Sequence, residues 1–222
     1  YTQSQPTAGM PLEADGPGFE FRREFWHDIP GSKVADLTQH PDFQAGMPDE
    51  TDIVGSLSNG PERGANYGTR ITGILTAPQT GEYTFYLTSD DQGQLWVSKD
   101  EDRANLERIA SVPTYARRGN WDEFSTQASK RITLVEGDRY FLEVLHKEGG
   151  SPDHLAVGWK LPDGTVERPI GGNERDEAGE PDERWHLLRR VLNANFRLGQ
   201  DEQARALAQF AANPDNLAPL RR

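Results

Sequence analysis

The sequence predicts a mainly β fold, an antiparallel and jelly-roll-like β-sandwich, followed by a pair of helices at the C-terminus. Three observations predict it. Segments in the middle of the chain alternate apolar and polar residues with a period of two, as half-buried strands do. Turn signals rich in Gly, Pro and Asp separate these segments at short intervals. The end of the chain instead carries apolar side chains at helical spacing.

The clearest strand is EYTFYLTS at residues 82–89, which follows the turn signal PQTG. Its residues Tyr83, Phe85 and Leu87 fall on one face, because side chains alternate along a strand. Further strands are predicted at residues 69–77, 94–98, 131–135, 138–146 and 155–161. Trp159 shares its face with other apolar residues of the last strand, which predicts a core position.

Changes in composition divide the chain into four parts. Residues 1–18 form a polar, Pro-rich arm, and residues 19–172 form the β-sandwich domain, in which 36–68 and 99–130 are irregular. An acidic linker at 173–183 leads to a helical segment at 184–222. The chain opens at Tyr1 rather than Met and ends as a third helix begins, so it is expected to be a fragment of a longer protein with a longer helical region.

Composition also excludes several functions. A net charge of −12 repels phosphate backbones and anionic lipids, which argues against nucleic-acid and membrane-surface binding. The absence of Cys excludes disulfides, thiol catalysis and Cys-ligated zinc. No apolar run approaches the ~20 residues that a membrane span requires.

The pair Asp90-Asp91 stands where a predicted strand ends and a short loop begins, in LTSDDQGQLWVS. Neighbouring side chains on a strand point to opposite faces, so the two carboxylates reach one cation only if the backbone turns sharply. Gly93 is expected to permit that turn. Two carboxylates held together repel, and a hard cation such as Ca²⁺ relieves the repulsion. The alternative is a solvated turn without a metal.

Calcium takes six to eight oxygen ligands, so a second loop has to contribute. The expected one is residues 147–154, which joins two strongly patterned strands. Asp153 is its predicted metal ligand, although an Asx-turn after Pro152 is the alternative. Coordination positions left open would accept the hydroxyls of a sugar. The predicted ligand-binding residues of this loop are Gly149, Gly150, Ser151 and His154.

Three aromatic residues offer faces on which a sugar ring can stack, namely Trp96, Tyr115 and Trp121. Core packing is the favoured interpretation for each of them. A glycosidase would need two carboxyl groups across a sugar, and Asp90 with Glu148 is the pair considered. No hydrolase, metalloprotease or nucleotide-binding motif supports catalysis.

The segments NYGTRITGILTAP, GEYTFYLTSDDQGQLWV and HKEGG…LAVGWKLPDG, in this order, resemble the protective-antigen-type PA14 domain over about residues 19–170. That domain occurs in bacterial protective antigen, yeast flocculins, adhesins and glycosidases. The resemblance implies a β-sandwich in which Asp90 and Asp91 chelate calcium, often across a cis peptide, while the second loop selects the glycan. Some family members bind no sugar. The C-terminal helical pair weakly resembles HEAT-type repeats.

The function predicted from these observations is a secreted, calcium-dependent, lectin-like module that binds a glycan or polysaccharide and catalyses no reaction. Its location would be extracellular, periplasmic or at the cell surface. The alternative is a non-lectin structural or interaction domain within a larger envelope assembly, or attached to an enzyme, with neighbouring protein domains contacted through the C-terminal helices.

Overall fold

The computed structural model describes residues 19–60, 62–150 and 152–171 of the chain. Several sequence predictions therefore lie outside the described residues. These are the arm at 1–18, the linker at 173–183, the helical segment at 184–222 and the loop residue Ser151.

Within the described residues, ten strands and two short α-helices follow one another along the chain. The helices are α1 (Val34–Thr38) and α2 (Pro41–Gln44), and a single 3-10 turn spans Arg103–Asn105. The strands are β1 (Phe21–Trp26), β2 (Glu50–Val54), β3 (Tyr67–Thr76), β4 (Gly81–Asp90), β5 (Gln92–Val97), β6 (Glu107–Val112), β7 (Ile132–Leu134), β8 (Arg139–Glu148), β9 (His154–Lys160) and β10 (Val166–Glu167). No helix in this part of the chain has the length and apolar character needed to cross a bilayer.

The strands form two antiparallel sheets, so the predicted mainly β class is confirmed. The six-stranded sheet has the order β2-β1-β3-β8-β5-β6, and the four-stranded sheet has the order β10-β9-β4-β7. The longest pairing joins β3 to β8 from Tyr67↔Glu148 to Thr76↔Arg139. In the four-stranded sheet, β4 pairs with β9 from Thr84↔Lys160 to Asp90↔His154.

The main core lies between the two sheets and draws residues from both. From β4, Tyr83, Phe85 and Leu87 are fully buried, as the alternation predicts. The Trp159 ring lies 5.4 Å from Tyr83 and 6.0 Å from Phe85 between ring centroids, and its side chain is 1% exposed. The prediction of a core position for Trp159 is therefore confirmed.

The two stretches predicted to be irregular contain regular elements. Residues 36–68 hold most of α1, all of α2, and β2, while 99–130 hold β6. Both strands lie at edges of the six-stranded sheet, where only one neighbour pairs with them. No residue of β2 is buried, and only Ala110 and Val112 of β6 are. Edge strands of this kind show little apolar alternation, so the sequence pattern does not reveal them.

Helix α1 packs on the six-stranded sheet close to the ends of β5 and β8. Its residues Val34 and Leu37 are buried, and Leu37 joins a small second cluster with Trp26 and Ile29. The backbone N–H of Val34 donates to Gln92 Oε1 at 2.8 Å. The loop that precedes α1 is thereby held beside the connection from β4 to β5.

Candidate functional site

Two connections between the sheets meet at one end of the sandwich. The first runs from Asp90, which ends β4, to Gln92, which begins β5; the second runs from Glu148, which ends β8, to His154, which begins β9. Strand β5 pairs with β8 through Gln92↔Lys147, and β4 pairs with β9 through Asp90↔His154. The two connections are therefore neighbours, which brings together acidic residues that are far apart in the sequence.

The first connection is a tight turn through Asp90 and Asp91, and the peptide bond between them is cis. The Ser89 hydroxyl donates to the Asp91 carbonyl oxygen at 2.8 Å. Gly93 does not have the positive φ that a turn role would require. Its place is inside β5, where a Cβ would lie 2.6 Å from the Ser89 Oγ. Gly93 thus serves close packing beside the turn rather than the turn itself, and the sequence interpretation of it was wrong.

The structure adds Glu148 to the aspartate pair. Carboxylate oxygens of Asp90, Asp91 and Glu148 all lie within 4.8 Å of one another. The Glu148 side chain is fully buried, and its Oε1 accepts from the Gly150 N–H at 2.6 Å. Its Oε2 is buried and accepts no hydrogen bond from the described residues. A buried carboxylate oxygen without a partner is costly, so this atom is available to a group that the described residues do not supply.

The electrostatics of the three acids favour a bound cation. Burial raises the pKa of Asp90 to about 6, helped by the like charges of Asp91 and Asp153 and opposed by Arg118. Burial, opposed by the hydrogen bond from the Gly150 N–H and helped by the like charges of the nearby aspartates, raises the pKa of Glu148 to about 8. Each shift means that the protein surroundings disfavour the ionised form. A cation would reverse this, and three carboxylates form the oxygen-only donor set that hard divalent ions prefer. This cluster could therefore hold a metal.

The structure places Asp153 beside this group but gives one of its oxygens another function. Its side chain is 1% exposed, and Oδ2 accepts from the backbone N–H groups of Arg63 at 2.7 Å and Gly64 at 3.1 Å. The residue therefore ties residues 63–64 to the second connection. It is not one of the three residues whose carboxylate oxygens meet, and its role as a metal ligand stays a prediction.

Two neighbouring glycines of the second connection have different surroundings. The Gly149 N–H donates to Asp91 Oδ2 at 3.0 Å, which links the two connections directly. A Cβ on Gly149 would lie 2.8 Å from the Gly31 carbonyl oxygen, so only glycine fits against that backbone. A Cβ on Gly150 would meet nothing within 4 Å. Their predicted contacts with a ligand stay predictions.

This difference predicts that substitution by alanine affects metal binding at Gly149 but not at Gly150. Gly149→Ala is expected to displace the loop from Asp91 and to weaken metal binding by about tenfold, because the obstructing atoms at Gly31 belong to the backbone. Gly150→Ala is the matched control and should bind the metal like the unmodified chain. Calcium titration by calorimetry measures both variants. Equal affinities for the two would show that the close contact at Gly149 does not position the site.

A buried lysine also supports this end of the sandwich. Lys147 is fully buried, and its ammonium group donates to the carbonyl oxygens of Gly31 and Glu148, each at 2.6 Å. The side chain thereby fastens the loop before α1 to the end of β8. Together with the contact between Gly149 and Gly31, it makes that loop one wall of the site.

Two histidines flank the acids but face inward. His146 is fully buried with Nε2 2.8 Å from the Asp90 carbonyl oxygen, so Nε2 carries the proton and donates. His154 is 6% exposed, with Nε2 3.1 Å from the Thr88 hydroxyl. Burial lowers the pKa of His146 to about 4 and that of His154 to about 3, so both are neutral at pH 7. The sequence predicted His154 as a ligand-binding residue, and the structure buries its side chain beside Thr88. Its contact with a ligand stays a prediction.

The three aromatic residues considered for sugar stacking lie in different surroundings. Trp96 lies on the face of β5 opposite to the buried Leu95 and Val97, as its place in the alternation predicts. Tyr115 is 53% exposed, so the interpretation of Tyr115 as a core residue was wrong. Trp121 lines a surface cavity together with Tyr86 and Arg168.

Sequence analysis did not identify Glu148 as a member of the metal group. The available signal was its place as the last residue of a strongly alternating strand, directly before Gly149 and Gly150. Lys147 and the loop before α1 were also missed. No local pattern marks that loop, because its contacts span more than a hundred residues of sequence, as in Lys147 to Gly31.

Similar proteins place this fold in a family. One segment of the chain is 36% identical over 100 residues to part of mouse (Mus musculus) N-acetyl-beta-glucosaminyl-glycoprotein 4-beta-N-acetylgalactosaminyltransferase 1. The match covers 43% of this chain and 10% of that protein. Dog (Canis lupus familiaris) fibrocystin is 30% identical over 96 residues, which is 38% of this chain and 2% of fibrocystin. The chain thus spans a tenth or less of these relatives.

Among solved structures, the PA14 sugar-binding domain from an RTX adhesin superposes with a TM-score of 0.50 at 17% identity, covering 68% of this chain and 94% of that one. The A domain of epithelial adhesin 9 from Candida glabrata, in complex with Galb1-4GlcNAc, gives a TM-score of 0.48 at 13% identity, covering 68% and 85%. The family model for the PA14 domain matches residues 32–171, which is more than half of the chain. This chain therefore belongs to the PA14 domain family.

Proposed function

We propose that this PA14 domain is a calcium-dependent carbohydrate-binding module that catalyses no reaction. The observation that carries the proposal is the group of three carboxylates at one end of the sandwich, in which the buried Glu148 Oε2 has no partner among the described residues. Asp90, Asp91 and Glu148 would hold the ion, and Asp153 stays a further candidate. Bound calcium would neutralise these acids and offer its open coordination positions to sugar hydroxyls.

Calcium suits this donor set better than magnesium does. Calcium accepts irregular sets of oxygen ligands from several loops, whereas magnesium requires near-ideal octahedral geometry and retains its waters. Three carboxylates on two connections supply part of the coordination shell and leave positions for solvent or ligand. We expect affinity on the order of 10⁻⁴–10⁻³ M, the range of modules that work in extracellular calcium. The proposed location is accordingly extracellular, periplasmic or at the cell surface.

Carbohydrate is the ligand class to test first. The adhesin domain that shares the fold is described as sugar-binding, and a sugar diol is a ligand that fills two neighbouring positions on a calcium ion. The proposal assigns no catalytic role to the acids, because three carboxylates whose oxygens converge within 4.8 Å form a donor set for a cation.

The test combines a metal titration with a glycan array. Calcium is expected to raise the melting temperature of the full chain, while magnesium at the same concentration raises it less. On the array, binding to at least one neutral glycan should appear with calcium and disappear with a chelator. Equal glycan binding in calcium and in chelator would contradict the proposal.

The chain spans only a small part of its large relatives, which supports one alternative. In that case the domain binds calcium as a structural ion and contacts other protein domains. A clear rise in melting temperature with calcium, combined with an array that stays silent, would favour this structural function over sugar binding.

A further inference from the structure

A second concave surface lies outside the carboxylate group. It is a cavity of about 670 Å³ between the outer face of the four-stranded sheet and the connection that precedes β7. Tyr86 points to this outer face, because its neighbours Phe85 and Leu87 are buried on the inner one. The residues that matter most in its lining are Tyr86, Arg117, Arg118, Trp121, Phe124 and Arg168. A cavity of this size holds a short oligosaccharide or a similar small molecule.

Arg168 is held in the cavity by two aromatic rings. Its guanidinium carbon lies 4.3 Å from the Tyr86 ring centroid and 4.9 Å from that of Trp121. Gly158 provides the space, since a Cβ there would lie 2.5 Å from the Arg168 Cγ. Gly158 on β9 pairs with Tyr86 on β4, so the aliphatic part of the Arg168 side chain passes over the face of the sheet at this position. The side chain is thus oriented before any ligand arrives.

The guanidinium of Arg168 has no anionic partner among the described residues. No hydrogen bond or salt bridge is formed by its side chain there, and its Nε is buried without an acceptor. A guanidinium is strongly favoured as a partner for carboxylate or sulfate, to which it donates two parallel hydrogen bonds. An arginine that is stacked, oriented and unpaired among the described residues is therefore available to an external anion.

The charge of the cavity opposes that of the protein. Arg117, Arg118 and Arg168 line it together with a single acid, Asp122, although the chain as a whole carries a net charge of −12. The surrounding negative charge repels polyanions such as nucleic acids. A small anionic group that enters the cavity instead meets local positive charge.

Arg118 connects this cavity to the carboxylate group. It lines the cavity, and its Nη2 donates to the Asp153 carbonyl oxygen at 2.7 Å. The next residue, His154, pairs with Asp90. The Arg118 side chain thus links the cavity to the second connection, which also carries Glu148.

We propose that the cavity is a subsite for an acidic sugar, in which Arg168 binds a carboxylate or sulfate group and Trp121 stacks on the sugar ring. The proposal rests on the proposed function, because it takes the same ligand class. It adds that the preferred glycan is anionic. Sugar rings present apolar faces that suit an indole, and the anion supplies the partner that Arg168 lacks.

The test measures the full chain against matched neutral and anionic probes. One pair is trigalacturonic acid and its methyl ester, and the other is sulfated lactose and lactose, so the two pairs distinguish carboxylate from sulfate. The anionic member of at least one pair should bind about tenfold tighter. Arg168→Gln should remove this preference, and Arg168→Lys should retain only part of it. The matched control Arg131→Gln changes an exposed arginine that does not line the cavity and should keep the preference.

The melting temperature of Arg168→Gln checks that its sheet remains folded, and every probe is measured both with calcium and with chelator. A preference that Arg168→Gln removes supports the subsite, even if chelator has no effect and the calcium proposal fails. Calcium-dependent binding of neutral and anionic probes with equal affinity would overturn the subsite and leave the proposed function intact. The absence of binding to any probe, or a preference that survives in Arg168→Gln, would also overturn the subsite.

Discussion

Asp91→Asn is expected to weaken calcium binding by at least about tenfold and, with it, calcium-dependent glycan binding. The substitution preserves shape, and the amide oxygen of Asn can still accept the Gly149 N–H that Asp91 Oδ2 accepts at 3.0 Å. It removes one of the three charges that converge within 4.8 Å. Because the affinity of such sites depends on the number of charged ligands, a loss of at least about tenfold is expected.

Calorimetry and thermal melting measure this effect together. Calcium at a hundred times its dissociation constant stabilises a folded domain by about 2.7 kcal/mol, which raises the melting temperature by on the order of 5 °C or more. At the same calcium concentration, Asp91→Asn should keep at most about half of this rise. Without calcium the variant should melt no lower than the unmodified chain, because it removes a repulsive charge.

Asp138→Asn is the matched control for this experiment. It makes the same change of charge in the exposed turn directly before β8, whereas the site lies at the far end of that strand. A strand of ten residues separates the two positions by roughly 30 Å. Calcium binding should be unchanged in this variant. If Asp91→Asn bound calcium as tightly as Asp138→Asn does, the site would not be at Asp90-Asp91.

Trp159→Ala is expected to produce the largest loss of stability, about 3–5 kcal/mol. The indole is buried between Tyr83 and Phe85, and its Nε1 donates to Glu167 Oε2 at 2.6 Å. Alanine leaves a cavity between the sheets and removes the donor. For a domain of this size the melting temperature should fall by roughly 6–20 °C. Urea unfolding monitored by circular dichroism measures the change.

Trp159→Phe separates packing from the hydrogen bond. Phenylalanine keeps an aromatic ring between the sheets but has no N–H for Glu167, so a smaller loss of about 1–3 kcal/mol is expected. In both variants, calcium should still bind below the melting temperature, because Trp159 lies within β9, away from the end that carries the acids. A loss below about 1 kcal/mol for Trp159→Ala would show that the two sheets do not depend on this residue.

Much of the fold was predictable because alternation is a local property. In β4 the positions of Tyr83, Phe85 and Leu87 follow from the side-chain period of a strand and are buried as expected. The helices and strands that the sequence did not predict lie at sheet edges or bury only one side. Strand β2 has no buried residue, and α1 buries just Val34 and Leu37, too little apolar surface to form a pattern.

The candidate site was predictable only in part. Asp90-Asp91 was identified because two adjacent acids at the end of a strand form a local signal. The structure places Asp153 against Arg63 and Gly64, and it places His154 beneath the loop next to Thr88. Neither position follows from residue type, since both depend on which backbone groups approach from other parts of the chain.

The sequence by itself determined six of the strands, the sandwich class and the aspartate pair, because each depends on a local pattern in a run of about ten residues or fewer. Only the tertiary structure decided which third carboxylate joins that pair and where Arg168 lies. Glu148 is more than fifty residues from Asp90 and Asp91 in the sequence. Its carboxylate lies beside theirs because the connections that carry these residues run between the sheets at the same end. Arg168 reaches Tyr86 and Trp121 because Gly158 leaves its path open. Both arrangements are products of strand pairing, which brings distant residues together and has no signal in local spacing.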